Sequence, residues 1–285
     1  MTTSRLLSLA AAALLLPILT VHSLNAQAAA KTAKPKKQKN LIVNSDLEQG
    51  SGRTPTGWSG VDGLTVTWGK DGNPGRCLTF DTSVFQEDKK AWKSDEKNFP
   101  GRGRGKKTGQ YDTVGAHEGV WAFATPVDLK PDDVHFIISA DVKAQFKAGE
   151  LFYPMVLIRG FQRVTAEKAG QNSSWFHTHH PGGPAYSEMF GPDALRRDSK
   201  EGDYLMVYRH TLACRAVKPN EWQRFEMGFS LPISKPQFYP ERLLIKPYAF
   251  WPSGIYCFDN ITLRRSTAEE VKAVNRRRQS IKAIE

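Results

Sequence analysis

Cysteine is scarce here: Cys77, Cys214 and Cys257 are the only three, they lie far apart, and no C-x-x-C pair occurs. That excludes the common zinc and thioredoxin-type frameworks. Three cysteines allow one disulfide and leave one thiol over. Cys77 and Cys257 both fall in predicted strands, yet the sequence does not choose among the pairings, and burial as small apolar side chains accounts for all three equally. Long helical periodicity is also missing, which excludes bundles and βαβ folds. No G-x-S-x-G elbow is present, and "GRGRGKKT" (101–108) misses the phosphate-loop spacing and has no strand–loop–helix context.

A membrane span is lacking as well. The apolar run "LLSLAAAALLLPILTV" falls short of the roughly 20 residues a spanning helix needs, and no stop-transfer pattern follows. With Arg5 before it and the small residues Ala26 and Ala28 after it, the run reads as an export signal over 1–28. The expected location is secreted, periplasmic or cell-surface. Residues 29–39 follow as a tether with five lysines in "KTAKPKKQK" and almost nothing to bury.

Acidic charge is the minority sign: the chain carries a formal +11, and the signal removes only Arg5. Positive clusters recur in "GRGRGKK" (101–107) and "NRRRQSIK" (275–282). Such a surface favours polyanions or simply keeps the protein soluble. For an exported chain, acidic glycans or the cell envelope are the accessible anions, and nucleic acid is set aside as a partner.

What is present is strand after strand. Between 40 and 265 the apolar runs are short, rich in β-branched and aromatic residues, and separated by Gly, Pro, Asn and Asp clusters. "WQRFEMGFSL" shows the alternation, with Trp222, Arg224 and Glu226 against Phe225, Met227 and Phe229. The fold class is therefore all-β: an antiparallel β-sandwich or jelly roll. Two long polar insertions, about 84–117 and 162–203, interrupt it, and loops of that length are usually functional or disordered. "STAEEVKAVNRRRQSIKAIE" (266–285) reads as a short basic helix or tail, with Ser266 and Glu269 as its capping box.

The order "NLIVNSDLEQG…PTGW", "GRCLTFD", "VDLKPDDVHFIISADVKA", "EWQRFEMGFSLP" and "GIYCFDNITL" resembles the galactose-binding-like β-sandwich of carbohydrate-binding modules appended to bacterial cellulases and xylanases. The resemblance covers about 40–265 outside the two insertions. It implies a structural Ca2+ clamping the opening segment to the last strand through Glu48 and Asp259. Asp46, read as alternating with Glu48 on one side of a strand, is a weaker ligand. Calcium takes 6–8 oxygens, and two acidic groups brought together would otherwise repel. Ser45 and Leu47 depart from the family's usual Gly and Phe.

The resemblance implies polysaccharide as partner, with anionic chains among the candidates. Sugars are held by aromatic faces with polar side chains reading the hydroxyls. Of the seven tryptophans, Trp58 and Trp222 match core positions of the family, and Trp68 and Trp121 lie within strands and read as core. Trp92, Trp175 and Trp251 fall in loops or at strand ends and are the platform candidates, with Tyr186 in support. His177, His179 and His180 in "WFHTHHPGGP" cluster without a nearby carboxylate before Glu188. Two rivals stand beside the non-catalytic binding reading. One is a jelly-roll lyase or hydrolase on acidic glycans, using one of those histidines with Arg159 or Arg163 and Tyr153 or Tyr208. The other is a structural envelope protein with basic ends.

Overall fold

The structure is a computed structural model describing residues 39–99, 110–145, 154–163, 195–198, 202–215, 218–236 and 239–282. The export signal, nearly all of the tether, the 101–107 cluster, Tyr153, Trp175, the three histidines of 177–180 and Tyr186 lie outside those residues. In chain order the strands are β1 (Gly50–Ser51), β2 (Thr54–Pro55), β3 (Trp58–Ser59), β4 (Val66–Gly72), β5 (Gly75–Asp81), β6 (Val120–Trp121), β7 (Phe123–Ala124) and β8 (Val127–Asp128). There follow β9 (His135–Gln145), β10 (Met155–Arg163), β11 (Leu195–Asp198), β12 (Gly202–Ala213), β13 (Gln223–Ser230), β14 (Arg242–Ala249) and β15 (Ile255–Arg265). Helices α1 (Gln86–Ser94) and α2 (Val114–His117) sit in the first insertion, and α3 (Ala268–Lys282) closes the chain.

Two antiparallel sheets face each other. One runs β13-β9-β15-β5-β4; the other runs β11-β12-β10-β14-β6, with β8 also paired to β14. The expected β-sandwich is what the chain forms. Alternate residues of each strand point inward, as the period of two demands. Leu78, Phe80, Phe136, Ile138, Val142, Tyr256 and Phe258 of the first sheet meet Val156, Ile158, Leu212, Leu243 and Ile245 of the second in one buried cluster. Side chains of this size each contribute about 1.5–3 kcal/mol when fully buried.

The run "GVWAFATPVDL" does not form the single strand its composition suggests. It breaks into β6, β7 and β8, which pair with β14, β3 and β14 in turn. Pro126, which has no N–H to donate, stands between the last two.

The C-terminal helix forms, but its cap is shifted by one residue. Thr267 rather than Ser266 accepts the Glu270 N–H on its side chain, and Ser266 Oγ donates to Glu270 Oε2 at 2.7 Å. Val271 and Val274 of α3 then pack on Ile137 of β9. At Gly228 of β13 a Cβ would come within 2.8 Å of Val271 Cα, so the close approach requires glycine. Gly228→Ala is therefore expected to push α3 off the sheet and to cost about 2 kcal/mol, within the range for overpacking. A lower guanidinium midpoint with faster hydrogen exchange confined to α3 would show it.

Candidate functional site

An acidic corner lies where the chain's opening segment meets the β4–β5 turn. Asp46 and Glu48 are not on a strand. Residues 43–46 form a turn, and Asn44 (φ 49°) and Leu47 (φ 58°) are left-handed. Leu47 is thereby buried in the core while Asp46 and Glu48 are exposed on either side of it, so the two acids flank a turn rather than alternate along a strand.

Glu48 Oε1 accepts the Arg76 N–H at 2.7 Å, and Asp259 Oδ2 accepts the Asn73 N–H at 2.6 Å. The two acids predicted at opposite ends of the chain therefore grip the same turn from either side. Gly75 between them has φ +83°, and a Cβ there would collide with the Glu48 carboxylate.

Asp259 is fully buried, and register sets it directly opposite Asp141 of β9. Like charges opposite one another destabilise a sheet. Arg224, opposite Asp141 on β13, compensates in part: it donates to Asp141 Oδ1 at 2.9 Å, Ser139 Oγ at 2.6 Å and Asn260 O at 3.0 Å. The Asn260 amide adds a donor to Asp141 Oδ2 at 2.9 Å. Among the described residues, Asp259 accepts the N–H groups of Asn73 and Asn260. Burial pushes its carboxyl up to about 6; those two N–H donors pull down, while Asp141 and Glu48 push further up.

An aromatic row occupies the outer face of the other sheet. Val120, Ala122 and Ala124 turn into the core, so Trp121 and Phe123 turn out. On β14, Leu243, Ile245 and Ala249 turn in, and Lys246, Tyr248 and then Phe250 turn out. Trp121 and Tyr248 are cross-strand partners with rings 25° apart in plane and centroids 6.3 Å apart, and Phe250 continues the row 5.8 Å from Tyr248. The Lys246 ammonium sits 4.3 Å from the Trp121 centroid, 5.2 Å from Phe123 and 5.9 Å from Tyr248. Lys89 of α1 also approaches Trp121, at 5.6 Å, while bound to Glu118 at 2.5 Å. Leu157, Arg159 and Lys246 on this face are each less than a tenth exposed, so its cations act at low dielectric.

The platform candidates divide. Trp251 stacks on Tyr111, centroids 5.8 Å apart and 9° from parallel, and Tyr111 is 71% exposed. Trp92 lies not in a loop but on α1. Its Nε1 donates to Asp62 O at 2.8 Å, its ring edge meets Phe99, and the Arg53 guanidinium lies 5.8 Å away, so it plugs its own segment.

Trp58 is in the core as expected. Trp68 is half-buried, with Nε1 donating to Leu47 O and Arg76 over its ring. Trp222 carries Lys143 at 5.0 Å, and Trp121 is on the outer face rather than in the core. No signal separated Trp121 from the core in sequence, because both faces of "VWAFA" are apolar. The pointer that could have found the row was Lys246, a charge alternating with Leu243 and Ile245 and followed at the same spacing by Tyr248 and Phe250.

Three residues of the rival catalytic reading are described: Arg163 is exposed at the end of β10, and the sheet keeps Arg159 and Tyr208 apart. Arg159 follows the core residue Ile158 and faces out, whereas Tyr208 packs toward the core cluster, where burial pushes its phenol up to about 12.

No family model and no curated protein matches the chain. Among solved structures it is similar to an arabinose-bound α-L-arabinofuranosidase at 10% identity and a TM-score of 0.38, over 81% of this chain but 27% of that one. It is also similar to the CBM22-1 xylan-binding domain of Paenibacillus barcinonensis Xyn10C, at 15% identity and a TM-score of 0.36, over 81% of this chain and 97% of that one. A third is TmCBM61 in complex with β-1,4-galactotriose, at 11% identity and a TM-score of 0.37, over 80% and 99%. The chain thus spans about a quarter of the enzyme but nearly the whole of each module. Carbohydrate-binding modules are the group that the order of motifs resembles.

Proposed function

We propose that the protein is an exported, non-catalytic polysaccharide-binding β-sandwich that lays its ligand along the half-exposed aromatic row at the β14–β6 edge of the second sheet. The observation that carries this is the row Trp121–Tyr248–Phe250, with Lys246 beside it. Flat aromatic faces take the apolar faces of sugar rings, and the Lys246 charge, almost buried among those rings, biases the row toward acidic substituents through its field. Trp251, next in sequence to Phe250, stacks on Tyr111 and offers a further aromatic face. Export rests on the signal-like start of the sequence. Among the described residues no helix is long and apolar enough to cross a membrane.

A structural calcium belongs to the same proposal. Glu48 and Asp259 offer hard oxygens at one turn, and a cation there would offset the burial, and the nearby Asp141 and Glu48, that raise the Asp259 carboxyl. Among the described residues no three His, Cys, Asp or Glu side chains group to hold a metal, so backbone oxygens and water would supply the remaining ligands.

Affinity electrophoresis against neutral and acidic polysaccharides, run with calcium and with chelator, tests the reading. Retarded migration on at least one polymer without shortening of that polymer is expected. Unchanged migration on every polymer, or depolymerisation, would overturn it.

A further inference from the structure

Cys77 and Cys257 lie buried on the outer side of the β13-β9-β15-β5-β4 sheet, one residue from Arg76 and two from Asp259 of the acidic corner. Leu78 and Phe80 of β5 and Tyr256 and Phe258 of β15 point into the core, so Cys77, Thr79 and Cys257 point out. Register places Cys257 opposite Thr79, which makes Cys77, two residues along β5, its diagonal neighbour. Thr79 Oγ1 lies 3.7 Å from Cys77 Sγ and 3.8 Å from Cys257 Sγ, so one hydroxyl touches both thiols. All three cysteines are free; Cys214 faces the core from the other sheet, with Sγ on Leu212 O, and cannot join the pair.

We propose that Cys77 and Cys257 form a redox site, a cross-strand dithiol that closes to a reversible disulfide by exchange with a small-molecule disulfide. Cys257 is 4% exposed against 0% for Cys77, so its sulfur is the one an oxidant reaches first. The Cys257 thiolate attacks one sulfur of the external disulfide, breaking that bond and releasing one thiolate. Cys77, deprotonated in turn, attacks Cys257 Sγ in the mixed disulfide and releases the second thiolate. The protons lost by Cys77 and Cys257 end on the two released thiols. The protein gives up two electrons and the external disulfide takes them up.

Diagonal neighbours on a sheet lie roughly 7–8 Å apart, just beyond the roughly 4.4–6.8 Å between Cα atoms that a relaxed disulfide spans, so closure requires β5 and β15 to shift against each other. A bond closed there holds strain and is easily reduced, which makes the pair a reversible couple rather than a permanent staple. Closure ties β5 to β15, the two strands that carry the acidic corner between them.

The test treats the folded full chain with oxidised glutathione and reads intact mass and peptide maps. The expected product has lost two hydrogens, contains a Cys77–Cys257 linked peptide, leaves Cys214 free to alkylate after unfolding, and reverts with dithiothreitol. Cys77→Ser is expected to trap glutathione on Cys257, because no second thiol resolves the mixed disulfide, while Cys214→Ser closes as the unsubstituted chain does. A lasting glutathione adduct on the unsubstituted chain would overturn the proposal. So would a link to Cys214, or Cys77 and Cys257 remaining free.

Discussion

Asp259→Asn is expected to gain stability relative to the unsubstituted protein as pH rises from about 4 to 6, by about 2 kcal/mol across that window if calcium is kept out. The sign follows from the direction of the shift. The folded carboxyl titrates near 6 against a reference value of 3.8, so between those values the folded chain binds a proton that the unfolded chain has lost. Stability contributed by this group is therefore greatest at low pH and declines as pH climbs through the folded value. Asparagine does not titrate and escapes the decline, although its amide NH2 must face one of the N–H groups of Asn73 or Asn260. Calcium is expected to reverse the comparison at pH 7. Bound by ionised Asp259 and Glu48, it would stabilise only the unsubstituted chain, by about 2.7 kcal/mol at a hundred times its dissociation constant. Guanidinium titrations of both proteins from pH 4 to 7, with calcium and with chelator, supply the numbers. A pH-independent difference would contradict the raised carboxyl, and a difference insensitive to calcium would remove the metal from this corner.

The acidic corner was half legible in the sequence. Glu48 and Asp259 are conspicuous because each breaks an apolar run, and their meeting at one turn is what two chain-terminal segments of a sandwich achieve. The finer arrangement depended on torsions. Left-handed Asn44 and Leu47 turn the opening segment into a compact turn, and no composition rule gives a leucine that conformation. Asp141 and Arg224 came into the cluster only through the register of β13, β9 and β15. The aromatic row was less legible, because strands whose two faces are both apolar carry no alternation to read. In "VWAFA" the core took the small side chains Val120, Ala122 and Ala124 and left the bulky rings outside, the reverse of what size alone suggests. Trp92 illustrates the opposite error: its polar surroundings marked an exposed loop, yet they belong to a helix whose inner face it fills.

Trp121→Ala is expected to weaken polysaccharide binding by about 2 kcal/mol, on the order of 30-fold, with little change in stability. The ring lies half-buried on an edge strand pair, so its removal leaves the sheet's core contacts through Val120 and Ala122 in place. Trp92→Ala makes the matching control. Its ring is held by Asp62 O and Phe99, so the variant should lose a few kcal/mol of stability while affinity stays unchanged. Lys246→Met separates the two ligand classes. The methionine keeps the apolar stem between Trp121 and Tyr248 and removes only the charge, so binding to neutral polymers should persist, whereas binding to acidic polymers should fall and lose part of its salt dependence. Calorimetric titration of the three variants on one neutral and one acidic polysaccharide decides among the outcomes. Wild-type affinity in Trp121→Ala would move the ligand off this face altogether. Equal losses on both polymers in Lys246→Met would assign the lysine to packing of the aromatic row rather than to recognition of charge.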